Sequence, residues 1–94
     1  MKLRLTARAN RDLVDISRYI RSENPLAALR VRDSILDSLK LLAAFPGLGM
    51  NQNVEGIRKH ITRKYRYIVY YEVDRAAGEI AVLTIQHPAR APHY

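Results

Sequence analysis

The sequence predicts an α+β domain: an N-terminal strand, an antiparallel helical hairpin, then a three-stranded antiparallel sheet, in the order β-α-α-β-β-β. Three observations carry this. Apolar residues recur at helical spacing through the first half of the chain. A Pro/Gly segment, Phe45-Pro46-Gly47-Leu48-Gly49, closes that half. Runs of aromatic and β-branched residues then follow, separated by turn residues. At 94 residues the chain has room for one domain, 1–94, and not for two.

Lys2 to Leu5 alternates and reads as the first strand. Thr6 follows as a helix cap, its hydroxyl able to accept from the free amides of the first turn. Ala9, Leu13, Ile16 and Ile20 then form one helical face, while Arg8–Asp12 and Arg11–Asp15 stand four apart and are placed to pair on the surface. Asn24-Pro25 ends this helix and starts the next: Asn24 caps, and Pro25 suits the first position, where an N–H has no partner anyway. Ala28, Val31, Ile35, Leu39 and Leu42 give the buried stripe of the second helix. After the Pro/Gly segment, Asn51-Gln52-Asn53 reads as loop, Val54 to Ile61 as a strand interrupted by Gly56, and Tyr65 to Val73 as the strongest strand. Asp74 to Gly78 is a turn, Glu79 to Gln86 the last strand, and His87 to Tyr94 an irregular tail with two prolines.

Composition narrows the function classes. Sixteen Lys and Arg against nine acids give a net charge of +7, which attracts nucleic acid, the ribosome or an acidic partner. Cysteine is absent, so disulfides and thiolate metal sites are excluded, as fits a cytoplasmic protein. No apolar run is long enough to span a bilayer, and the basic start leads into polar residues instead of a signal-peptide core. His60, His87 and His93 are scattered, with no helical pair, so no metal and no cofactor is expected.

Several segments, taken in order along nearly the whole chain, carry a recognisable pattern. Thr6-Ala7-Arg8-Ala9 leading into Asp12-Leu13-Val14-Asp15-Ile16 and Tyr19-Ile20 resembles the opening of ParE-type toxins. Phe45 to Gly49 resembles their loop after the second helix, and Gly56-Ile57-Arg58 with Tyr67 to Val73 their central strands. Ile85-Gln86-His87-Pro88-Ala89-Arg90 resembles their closing His-x-x-Arg segment. Together these segments resemble the RelE/ParE toxin superfamily of type II toxin–antitoxin systems, and the resemblance implies a toxin held inactive by an antitoxin encoded beside it. In the ParE branch the target is DNA gyrase; in the RelE branch it is messenger RNA on the ribosome.

RNA cleavage without a metal needs a base, an acid and cations around the phosphorane. His87, Arg90, Arg66 and Lys59 offer such groups. Aligned on the RelE branch, however, a key strand arginine falls at Ile68, which cannot stabilise developing charge. The sequence therefore favours a ParE-like gyrase inhibitor without catalysis of its own, with a ribosome-dependent ribonuclease as the alternative and a member that only binds its antitoxin as a third reading.

Arg58, Lys59, Arg63, Lys64 and Arg66 put five positive charges within nine residues. Such a cluster serves either as an anion-binding surface or as a solvated strand that resists edge aggregation. Folding the last strand back beside its neighbour brings His87 near Arg66, so the expected toxicity surface is Arg58, Lys59, Arg66, His87 and Arg90. His87 either acts as a group that titrates near neutral pH or orders the turn that follows it. Leu26, Leu29, Leu36 and Leu41 lie outside the buried stripe of the second helix, an expected exposed patch for an amphipathic antitoxin helix.

Overall fold

Both helices begin where the sequence supplies a cap. The computed structural model describes residues 1–89. Its elements are β1 (Lys2–Leu5), α1 (Ala7–Arg21), α2 (Pro25–Ala44), β2 (Met50–Asn51), β3 (Ile57–Ile61), β4 (Ile68–Asp74) and β5 (Glu79–Gln86). The Thr6 side chain accepts from the Ala9 amide at 3.2 Å. Its hydroxyl also donates to the Val82 carbonyl at 2.9 Å, so the cap of α1 is fastened to β5. Asn24 accepts from the Ala27 amide at 3.1 Å and starts α2, with Pro25 at its first position.

The expected stripes are the buried ones. Ala28, Val31, Ile35, Leu39 and Leu42 of α2 are all buried, as are Ala9 and Leu13 of α1, with Ile16 and Ile20 packed beside them. All of these buried residues except Ala28 form one cluster with Tyr67, Val69, Tyr71, Ile80, Val82 and Ile85. Ile35 and Leu39 are fully enclosed; truncating either to alanine costs about 2–5 kcal/mol in lost transfer energy and cavity formation.

The sheet has five strands in the order β1-β5-β4-β3-β2, against the three expected after the hairpin. β1 joins the same sheet, running parallel to β5 with Leu3 opposite Ile80. Parallel neighbours need a crossover, and the helical hairpin is part of it. β2 is a two-residue strand where loop was expected: Met50 and Asn51 pair with Lys59 and Arg58. So short a pairing leaves no periodic trace in the sequence.

Two strands start later than their patterns suggest. β3 begins at Ile57 instead of Val54, because Gly56 adopts φ 82° and the Ile57 amide turns back to the Val54 carbonyl. β4 begins at Ile68 instead of Tyr65. Tyr65 and Arg66 both take left-handed backbone, φ 63° and 55°, at roughly 1–2 kcal/mol each for residues with a side chain. Thr62, fully buried, holds this turn: its hydroxyl donates to the Lys64 carbonyl at 2.7 Å and accepts from the Tyr67 amide at 3.0 Å. From Tyr67 onward the strand alternates, with Tyr67, Val69 and Tyr71 under the helices; Tyr65 lies outside this series and is 48% exposed.

Candidate functional site

The basic cluster does not converge on one surface. In the β3–β4 register Arg58 stands opposite Tyr71 and Lys59 opposite Tyr70. Neighbouring strand residues face opposite sides, so the two cations point apart. Arg58 lies on the helix side, where its guanidinium donates to the carbonyls of Gly47 and Gly49. Beside it the Tyr71 hydroxyl accepts from the Gly49 amide at 2.8 Å and donates to the Pro46 carbonyl at 2.7 Å. These bonds fasten the loop after α2 to the sheet. Gly49 is required there: a Cβ would stand 2.6 Å from the Tyr71 hydroxyl and 2.9 Å from the Lys59 carbonyl. Burial pushes the Tyr71 pKa up, opposed by the Gly49 hydrogen bond and the Arg58 charge. The placement of Arg58 corrects the expectation that it reaches the tail turn. It sits three residues inside Ile61, about 10 Å along the strand.

The end of the sheet does bring His87 and β4 together. Ile68 pairs with Gln86, so His87 falls beside Tyr67, their rings edge to face with centroids 5.6 Å apart. His87 Nδ1 accepts from the Ala89 amide at 3.0 Å, so the histidine orders the turn after β5 and a neutral ring carries its proton on Nε2. The two rings line a cleft of about 430 Å³ with Asp12, Asp15, Ile16 and Tyr19 of α1. Asp12 accepts from the Ile85 amide at 3.0 Å, tying α1 to β5. Neither Arg8–Asp12 nor Arg11–Asp15 pairs as expected; the ion pair found among the described residues is Arg4–Glu79. Asp12 satisfies a backbone donor instead, a link that helical spacing cannot announce. Arg66 is exposed at the turn before Tyr67 and, with left-handed backbone, lies outside the alternation of β4 that contains Ile68. Arg90 lies outside the described residues. Ile68 itself is flanked by Ile61 and Gln86, which puts no charge in its row. His60 faces the helix side opposite Val69, and partial burial lowers its pKa.

Three of the four leucines expected to be surplus are exposed: Leu26 and Leu29 at 57% and Leu41 at 45%. Leu36 packs against the core, which corrects its place in the patch. Leu29 lines a groove of about 510 Å³ between α1 and α2, with Leu13, Val14 and Ala28 in it and Arg18, Arg21 and Arg32 around it. Val14, 52% exposed, adds to this patch from α1, and its position off the α1 stripe is the sequence signal that marks it. Leu41 belongs to a separate cleft, with Tyr65 and Asp37.

Among the described residues no three His, Asp or Glu side chains gather as a metal site, and no helix is long and apolar enough to cross a membrane. The arrangement offers binding surfaces: a groove with a basic rim on the hairpin, and a histidine- and tyrosine-lined cleft beside a cationic turn.

Comparison with known proteins accounts for this layout. A putative toxin, Y4kP, of Sinorhizobium fredii (strain NBRC 101917 / NGR234) is 31% identical over 86 residues, covering 92% of this chain and 86% of that protein. A solved structure described as the chromosomal ParDE TA system from P. aeruginosa superposes with a TM-score of 0.79 at 27% identity, covering 93% of this chain and 95% of the other. The family model for the ParE toxin of type II toxin–antitoxin systems, parDE, matches residues 3–92. The chain therefore belongs to the ParE toxin family.

Proposed function

We propose that this ParE-family toxin inhibits DNA gyrase and is neutralised by a cognate antitoxin in a hetero-oligomeric complex. The observation that carries the choice of gyrase over RNA cleavage is Ile68. The ribonuclease branch places a charge-stabilising arginine at this position, and here the row reads Ile61, Ile68, Gln86. Losing one such donor typically costs a factor of 10²–10³ in rate, and Arg66 cannot replace it from its turn. The antitoxin occupies the groove between α1 and α2: Leu29 and Val14 offer apolar contact, and Arg18, Arg21 and Arg32 select a helix with acidic flanks. Toxicity then resides on Arg66 and His87, where β4 starts and β5 ends, with Lys59 on the other face of the sheet and Arg58 acting through the loop it fastens; Arg90, the remaining candidate, lies outside the described residues. Expression of the chain without its antitoxin tests the reading. Filamentous cells with double-strand breaks and intact messenger RNA are expected. Prompt messenger cleavage at the ribosomal A site with an intact chromosome overturns it.

A further inference from the structure

The turn between β3 and β4 is the most unusual segment of the backbone. Tyr65 and Arg66 occupy left-handed conformations in succession, the geometry that Asn-Gly adopts without strain and that side chains beyond Cβ resist. Local strain of this kind persists where the surroundings enforce it and where the side chains presented have a use. The enforcing contacts here are those of buried Thr62 with Lys64 and Tyr67. The presented side chains are Arg63, Lys64, Tyr65 and Arg66, all exposed. Asp33 and Asp37 line the cleft beside Arg63 and Lys64, yet none of the three cations forms an ion pair among the described residues. The turn thus projects three cations, none held in an ion pair among the described residues, around one half-exposed tyrosine ring.

We propose that this turn is a contact site for unpaired nucleic acid, with Tyr65 stacking on a base and Arg63, Lys64 and Arg66 meeting the flanking phosphates. The composition favours a polynucleotide over an acidic polypeptide, because a polypeptide needs the cations and not the ring. It favours a single strand over a duplex, because a base stacks on a side chain only when its face is free. The site shares Arg66 with the toxicity surface proposed above, while Arg63, Lys64 and Tyr65 belong to it alone.

The test uses the full chain with a fluorescently labelled single-stranded oligonucleotide of mixed sequence, read by anisotropy over a salt series. Saturable binding is expected, about tenfold tighter than to the matching duplex and about tenfold weaker in Tyr65→Ala, since stacking is the ring's contribution. Lys64→Ala and Arg66→Ala should each reduce the slope of log affinity against log salt by about 0.7. Replacing the pair by Tyr65→Asn with Arg66→Gly separates function from fold. The turn then loses its strain, so Tm should rise by roughly 5 °C or more, while binding falls below that of Tyr65→Ala. The proposal is overturned if the wild-type chain does not bind, if Tyr65→Ala binds as well as wild type, or if polyglutamate displaces the oligonucleotide at equal charge concentration.

Discussion

Removing one oxygen from Tyr71 should loosen the loop after α2. The Tyr71 ring is fully buried, and its hydroxyl joins two backbone groups of that loop, the Gly49 amide at 2.8 Å and the Pro46 carbonyl at 2.7 Å. In Tyr71→Phe both hydrogen bonds disappear and the ring stays. Each bond contributes about 1 kcal/mol net, and an amide left buried without a partner costs about 1–3 kcal/mol. The expected loss is therefore about 2 kcal/mol, which for a domain of this size lowers Tm by roughly 8–16 °C. Thermal and urea unfolding followed by circular dichroism measure it. Tyr65→Phe is the control: that ring is 48% exposed, and its change should stay within about 0.5 kcal/mol. Gly49→Ala adds a second reading, because its Cβ would meet the Tyr71 hydroxyl at 2.6 Å. Part of that clash vanishes in the phenylalanine background, so the two substitutions should be less damaging together than their sum. A Tyr71→Phe protein as stable as wild type would refute the reasoning that this hydroxyl holds the loop.

Other consequences follow from the same geometry. Arg58→Ala should destabilise the chain by about 1–3 kcal/mol, because charge-assisted bonds to the Gly47 and Gly49 carbonyls are lost. Unfolding midpoints check this, and toxicity lost without any stability change would place Arg58 on the target surface instead. Leu29→Lys and Val14→Lys should weaken antitoxin binding at least tenfold, measured by calorimetry, with Tm nearly unchanged because both side chains already face solvent. His60 has a pKa lowered by burial from its ordinary 6.5. Below that value the unfolded chain takes up a proton that the folded chain resists, so stability should fall as pH drops through this range. The slope of Tm against pH should flatten in His60→Gln; an unchanged slope would assign the acid sensitivity to other groups.

How much was legible in the sequence depends on how local the cause is. Thr6 and Asn24 were readable as caps because a cap bonds to an amide three residues away. The buried stripe of α2 was readable because helical periodicity reports burial directly. β5 was bounded by its turn and tail, and its limits match the expectation. The misplaced strand starts have a different origin. Tyr65 is aromatic, a good strand former by type, and Arg66 carries no turn signal; contacts from Thr62 hold the pair in a turn. Arg58 read as one member of a charge run; its role is set by the carbonyls of Gly47 and Gly49, around ten residues away in the chain. Asp12 read as a surface ion-pair partner, while its actual partner, the Ile85 amide, comes from the far end of the chain. Side-chain to backbone bonds across long separations carry no spacing rule, and much of the candidate site is built from them.

Inhibition of gyrase without RNA cleavage is the activity proposed for this chain. A supercoiling assay with purified gyrase and relaxed plasmid addresses it most directly, run beside a translating ribosome programmed with a labelled messenger. The account predicts that the toxin blocks supercoiling and accumulates cleaved plasmid, that added antitoxin reverses the effect, that Arg66→Ala and His87→Ala weaken it without unfolding the chain, and that the messenger stays whole. Unimpaired supercoiling together with a messenger cut in the ribosomal A site would contradict it.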